Sequence, residues 1–160
     1  MTYREFSTDA ILSVDDDVCL MKNQISFLFD VWKNNRNRIV GYAGRSHGWS
    51  GKKWIYIPGI ECQLSLVLTG FAFIHRFYLQ LYETSMPDTI RKIVDKYQNC
   101  EDIAMNFLVS HLTREPNLLV YPIVFSCHYG PNSQLHIRAG HYEMRSKCID
   151  LYTKVNNCDP

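Results

Sequence analysis

Three consecutive carboxylates, Asp15, Asp16 and Asp17, follow the short apolar run 10–14. The run has the length and β-branching of a buried strand, so the acids stand where that strand ends. In open α/β sheets, ligands sit beyond the carboxyl ends of the strands, and these acids therefore occupy the usual site position. Like charges in a row repel. A hard divalent cation relieves that repulsion and draws its remaining ligands from water and phosphates. A solvated acidic turn or helix start uses the same residues, and the triplet alone leaves both readings open.

A second acidic pair, Glu101-Asp102, follows Asn99-Cys100 and leads into an apolar run. Asn99 suits a helix N-cap, and acids in a first turn complement the helix dipole, so this pair also has two readings. A lone cation completes the set. From about Gly140 the spacing predicts a helix with Tyr142, Arg145, Cys148, Ile149, Tyr152 and Val155 on one face. Arg145 then lies inside an apolar stripe, where a guanidinium costs several kcal/mol unless an anion meets it. Its stem could snorkel to the rim; an anionic partner, carboxylate or phosphate, is the favoured expectation. Cys127, His128, His136 and His141 offer zinc-type donors, but their spacing matches no known ligand pattern.

The elements that must position these groups follow from composition and periodicity. With 160 residues, 46% of them hydrophobic, the chain supports one domain, 1–160, with one sizeable core. A net charge of +1 without a basic patch argues against a nucleic-acid or membrane-surface protein. No apolar run is long enough to span a membrane, and residues 1–6 lack the apolar core of a signal peptide. Six cysteines (Cys19, Cys62, Cys100, Cys127, Cys148, Cys158) form no C-x-x-C pair. They suit either disulfides of a secretory compartment or scattered buried thiols.

In chain order, Asn23 caps a helix whose core stripe is Ile25, Leu28, Phe29 and Trp32. Residues 38–42 read as a short strand, 43–53 as a glycine-containing surface loop, and 54–57 as a strand stopped by Pro58-Gly59. The near-continuous apolar run 64–70 reads as a strand buried on both faces, and 71–82 as an aromatic-rich helix. Pro87 opens another helix with Ile90, Ile93, Val94 and Tyr97 on one face. Residues 118–125, interrupted by Pro122, read as an edge strand followed by a polar loop over 126–135. Strands alternating with helices mean an α/β fold.

Several blocks occur in order along the chain: the acidic triplet after its strand, Leu68-Thr69-Gly70, Met86-Pro87, Asn99-Cys100-Glu101-Asp102-Ile103-Ala104-Met105-Asn106-Phe107, and Arg145-Ser146-Lys147-Cys148-Ile149. Together they closely resemble the C-terminal glycosyltransferase domain (family 64) of the exostosin and exostosin-like proteins, over about residues 6–155. The long block carries most of the specificity, because many glycosyltransferases have an acidic cluster. The resemblance implies a GT-A fold, a Rossmann-like α/β sandwich with a mixed sheet. Residues 1–160 would be the C-terminal two-thirds of such a domain, without the first strands that grip uracil.

The resemblance further implies retaining transfer of N-acetylglucosamine, an N-acetylhexosamine, from a UDP-sugar to a glycosaminoglycan (heparan sulfate) acceptor, with Mn²⁺ as cofactor. By position, Asp17 would ligate the metal and Asp15 would lie near the ribose or the metal-bound waters. Asp16, Thr69, Gly70 and Arg45 would belong to the substrate-binding set. Asp102 would be the catalytic carboxylate that holds the donor sugar, with Glu101 beside it. Arg145 would reach the diphosphate or the donor sugar, and Cys100 and Cys148 would form a disulfide. The implied setting is the endoplasmic reticulum or Golgi lumen, in proteins normally anchored to the membrane, with homo- or hetero-oligomers of family members as partners. An inactive copy that acts through protein interaction is the alternative.

Overall fold

A computed structural model describes residues 6–16, 18–58, 64–121 and 139–155. In chain order its elements are β1 (Ala10–Val14), α1 (Lys22–Lys33), β2 (Val40–Gly41), β3 (Gly44–Trp49), β4 (Trp54–Ile57), β5 (Leu66–Val67), β6 (Phe71–His75), α2 (Arg76–Thr84), α3 (Asp88–Tyr97), α4 (Glu101–Thr113), β7 (Leu118–Leu119) and α5 (His141–Val155). A four-stranded sheet runs in the order β1-β6-β2-β7, and a three-stranded sheet in the order β4-β3-β5. The larger sheet is mixed: β1 and β2 pair antiparallel with β6, and β2 pairs parallel with β7.

β6 shows why the molecule is a layered α/β sandwich. Its Phe71 and Phe73 pack with Leu28 and Trp32 of α1, while Ala72 and Ile74 pack with Tyr78, Met105 and Val109 of α2 and α4. A strand buried on both faces has no polar alternation. That is the physical reason why residues 71–75 form a strand and not the start of the expected helix, which begins only at Arg76. The expected strand over 64–70 shrinks to Leu66–Val67 for a related reason: Thr69 and Gly70 make the turn that leads into β6.

The expected loop at 43–53 is mostly β3, a strand of the β3–β4 hairpin. Its glycines answer to packing and not to turning: a Cβ on Gly44 would lie 3.0 Å from Leu119, and one on Gly48 would lie 3.3 Å from Ile57. Met21, not Asn23, is the N-cap of α1, with the Gln24 side chain accepting from the Met21 amide at 2.9 Å. The stripe of α1 is narrower than expected, because Leu28 and Trp32 are buried while Phe29 is exposed. Of the expected strand at 118–125, β7 lies at the sheet edge as expected; residues 122–138, with Cys127, His128 and His136, lie outside the described residues.

Both edges of the smaller sheet are closed by helix side chains. On β4, the amides of Tyr56 and Trp54 donate to Ser146 Oγ (3.0 Å) and Asp150 Oδ1 (3.4 Å) of α5. Two strand residues rise about 6.8 Å and four helix residues about 6 Å, so the two ladders keep step. On β5, the Asn106 side chain of α4 accepts from the Val67 amide (2.9 Å) and donates to the Val67 carbonyl (2.7 Å), standing in for a neighbouring strand. Among the described residues, no helix is long and apolar enough to cross a membrane.

Candidate active site

The antiparallel register of β1 on β6 ends at Val14 opposite Phe71, so Asp15 leaves the sheet beside Gly70 and its amide donates to the Gly70 carbonyl at 2.8 Å. The contact is close: a Cβ on Gly70 would sit 2.1 Å from Asp15 Oδ2 and would push the Asp15 carboxyl aside. The acidic triplet and the Leu68-Thr69-Gly70 block, distant in sequence, are therefore neighbours. Asp17 lies outside the described residues.

Around the cavity that Asp15 and Gly70 line, α3 and α4 are joined by a tight connection in which Gln98 and Cys100 both take the left-handed conformation (φ 48° and 76°). Cys100 is fully buried and disulfide-bonded to Cys148, so packing and a covalent bond hold a backbone shape that a non-glycine residue rarely adopts. The turn displaces Asn99 from the expected N-cap position, which Cys100 takes, and aims its side chain at the site. Asn99 Oδ1 accepts from the Cys100 amide (2.7 Å) and from Arg145 Nη1 (3.1 Å).

Arg145 has the anionic partner that its apolar stripe demanded. Its Nη2 donates to Asp102 Oδ2 at 2.5 Å, and both residues are almost fully buried, 5% and 6% exposed. The other Asp102 oxygen accepts from the Ile103 amide at 2.8 Å. Of the two anions left open by the sequence, this chain supplies the carboxylate. The guanidinium also lies over the Tyr56 ring, 4.5 Å from its centroid, and Tyr56 stacks in turn on Tyr142. Arg145 Nε is buried with no hydrogen-bond partner among the described residues. Tyr142 and Val155, expected on the core face of α5, are each 39% exposed.

These walls enclose a cavity of about 570 Å³ lined by Asp15, Asp16, Arg45, Tyr56, Thr69, Gly70, Asn99, Glu101, Asp102, His141 and Arg145, among others. Every expected site residue that is described thus faces one pocket. Tyr56, Asn99 and His141 join them, although the sequence places none of them in this site: the tyrosine reads as a strand core residue, Asn99 as a helix cap, and His141 only as a zinc-type donor.

The electrostatics follow from the crowding. Glu101 is open to solvent at the mouth of the cavity, yet protein closes around its carboxyl on the other sides. That desolvation, and then the Asp102 charge, push its carboxyl above the usual range, with Asp15 adding to the effect. Burial alone would lower the affinity of Arg145 for its proton; the Asp102 charge and hydrogen bond outweigh it and hold the guanidinium more firmly protonated than usual. Burial pushes the Tyr56 hydroxyl up despite the neighbouring Arg145.

Among the described residues, no group of three or more His, Cys, Asp or Glu stands ready to hold a metal ion. Asp15 and Asp16 are nevertheless oxygen donors at the cavity wall. A hard divalent cation asks one or two carboxylates of the protein and takes the rest from water and phosphate. The donor set fits such an ion.

The profile of the glycosyl transferase family 64 domain matches residues 1–160. The chain belongs to this family. It is 44% identical over 154 residues to the exostosin-like-3 homolog of Caenorhabditis elegans, covering 96% of this chain and 19% of that one. Against exostosin-1 of Drosophila melanogaster the identity is 43% over 162 residues, covering 97% and 21%. Against exostosin-2 of Homo sapiens it is 38% over 158 residues, covering 96% and 22%. The chain spans about a fifth of the length of these relatives. The family 64 assignment fits the mixed-sheet sandwich, and the Cys100–Cys148 disulfide implied by the exostosin resemblance is formed. Cys19 is disulfide-bonded as well, which favours disulfides over scattered thiols for the described cysteines.

Proposed function

We propose that this chain carries the donor and catalytic site of a retaining glycosyltransferase that moves N-acetylglucosamine from its UDP-sugar to a glycosaminoglycan acceptor of the heparan sulfate type. The observation that carries the reading is that the buried Asp102–Arg145 pair and the Asp15–Gly70 contact line one cavity. Departure of UDP develops negative charge on the diphosphate and positive charge at the sugar carbon. Arg145, permanently charged and anchored by Asp102, Asn99 and Tyr56, stands ready for the first at the cavity wall. Asp102, with both oxygens already engaged, suits a fixed anion that orients the donor sugar and steadies the second charge. Glu101, held above the usual carboxylate range, stands beside it.

Asp15 and Asp17 are the residues that would hold Mn²⁺, with Asp16, Thr69, Gly70 and Arg45 lining the donor's path. When bound, the ion would supply Lewis-acid stabilisation to the diphosphate oxygens. Three disulfide-bonded cysteines, Cys19, Cys100 and Cys148, suit an oxidising secretory lumen as the place of work. Oligomerisation with a family member, homo- or hetero-, belongs to the same reading.

Calorimetric titration of UDP into the chain, with and without Mn²⁺ and beside Asp15→Ala, tests the proposal. Manganese-dependent binding that weakens at least tenfold in Asp15→Ala is the expected result. Absence of binding, or binding indifferent to the metal and to Asp15, would overturn it.

A further inference from the structure

The cysteine at the start of α4 stands between the fold and the chemistry. Together with the residue before it, Cys100 meets α5 at three points. Asn99 Nδ2 lies 3.3 Å from His141 Nδ1, Asn99 Oδ1 accepts from Arg145 Nη1 at 3.1 Å, and Cys100 is bonded to Cys148. Residues 141, 145 and 148 follow one another at helix spacings of four and three, so the three contacts fall along one face of α5. Cys148 lies about 4.5 Å of helix rise beyond Arg145. The covalent link and the Asp102–Arg145 pair thus join the same two helices within a turn of each other.

What the link holds is a backbone angle. At φ 76° Cys100 is left-handed, a conformation that glycine adopts freely and other residues rarely. That angle decides where the neighbouring groups point. The Cys100 carbonyl turns into α4 and accepts from the Ala104 amide at 3.0 Å, while the Cys100 amide is taken up by Asn99 Oδ1 at 2.7 Å. The same oxygen receives Arg145 Nη1. A residue 100 relaxed to a right-handed or extended angle would re-aim its amide, and Asn99 with it. The guanidinium would then keep Asp102 and the Tyr56 ring but lose the bond at Nη1. A planar cation held at two nitrogens has a fixed orientation; held at one, it swings. Neither cysteine lines the cavity, so whatever the bond does for the chemistry passes through these neighbours.

We propose that the Cys100–Cys148 bond is a positioning device for the catalytic pair: by keeping residue 100 left-handed, it aims Asn99 and sets the orientation of the Arg145 guanidinium at the cavity wall. The proposal rests on the glycosyltransferase reading above and adds to it a covalent determinant of rate, separate from the stability that any cross-link supplies.

The test uses two chains without the bond that differ only in what residue 100 can adopt, Cys100→Ala/Cys148→Ala and Cys100→Gly/Cys148→Ala. Glycine takes φ 76° without steric cost and alanine does not. Both are measured at a temperature where thermal melts show parent and variants fully folded, so stability alone moves nothing. The readouts are kcat for transfer from the UDP-sugar and the proton–nitrogen NMR signals of the arginine side chains, in which a guanidinium bonded at both Nη atoms gives separate, slowly exchanging protons. The alanine variant is expected to lose at least tenfold in kcat and to show merged Arg145 Nη signals. The glycine variant is expected to stay within threefold of the parent and to keep the signals apart. Cys148→Ala alone, which opens the bond and keeps the Cys100 side chain, replaces the alanine variant if that chain does not melt cooperatively. Equal kcat in the parent and both variants overturns the proposal and leaves the bond a stabiliser only. An equal loss in both variants overturns it as well, because the angle would then not be what the bond holds. A parent that transfers no sugar speaks against the glycosyltransferase reading, and the NMR comparison then decides the positioning by itself.

Discussion

Asp102 and Arg145 can each be buried only because the other is. Removing one partner of such a pair leaves an uncompensated charge and costs about 3–5 kcal/mol, whereas replacing both with apolar groups is often close to neutral. Arg145→Leu alone should therefore lower stability by that amount in a urea titration, and Asp102→Leu/Arg145→Leu should recover most of it. Transfer should be lost in both, which separates the chemistry of the pair from its part in the fold. Gly70→Ala separates them differently. The nearest atoms the new Cβ meets are the movable end of the Asp15 side chain, so the melting temperature should stay within a few degrees while the metal-dependent affinity for UDP falls at least tenfold, read by calorimetry. For Glu101, ionisation is harder in the folded chain than in the unfolded one. Its effect on stability is nil at pH values well below the ordinary 4.5, and stability is lost as pH rises from there through the elevated value. Glu101→Gln should thus melt slightly higher than the parent at neutral pH and identically in acid. At this scale the sequence was informative where a residue contradicted its surroundings. Arg145 in an apolar stripe announced an anionic partner; Tyr56 and Asn99, each normal for its place, announced nothing.

Among the elements, α4 depends on one side chain more than its sequence suggests. Asn106 closes the edge of β5 with two bonds to Val67, donates to the Asp102 carbonyl at 2.8 Å, and accepts from Asn117 Nδ2 at 2.8 Å, whose own oxygen accepts from the Ile39 amide at 3.0 Å. Asn106→Ala strands the buried amide and carbonyl of Val67 and removes the bond to Asn117, and should cost about 3 kcal/mol, measured by urea unfolding. Helices were legible from their apolar spacing, as in α3 and α5. The strands were less so, for two opposite reasons. β6 is apolar on both faces and imitates a helix, while β3 carries glycines for packing and imitates a loop. Which strands pair, and that helix side chains close their edges, are long-range facts that no local pattern encodes.

In the whole molecule, the Cys100–Cys148 bond joins the start of α4 to the middle of α5 across a sequence separation of 48 residues. In the chain-entropy view, closing a loop of that length restricts the unfolded chain by about 4 kcal/mol. Cys100→Ala/Cys148→Ala should lower the denaturation midpoint accordingly, and a reductant, which also opens the bond at Cys19, should bring the parent chain down at least as far. Spacing alone could not have paired these two cysteines among six; the family resemblance did. The sealed margins of the smaller sheet carry a further consequence. An open strand margin is a template on which a second molecule can add its own strand. The acceptors on Ser146 and Asp150, and the amide of Asn106, occupy the groups that such an intruder would use. The side chains that tie β4 to α5 and β5 to α4 are thus also guards against self-association, so wear at these positions would register as clumping as well as lost stability.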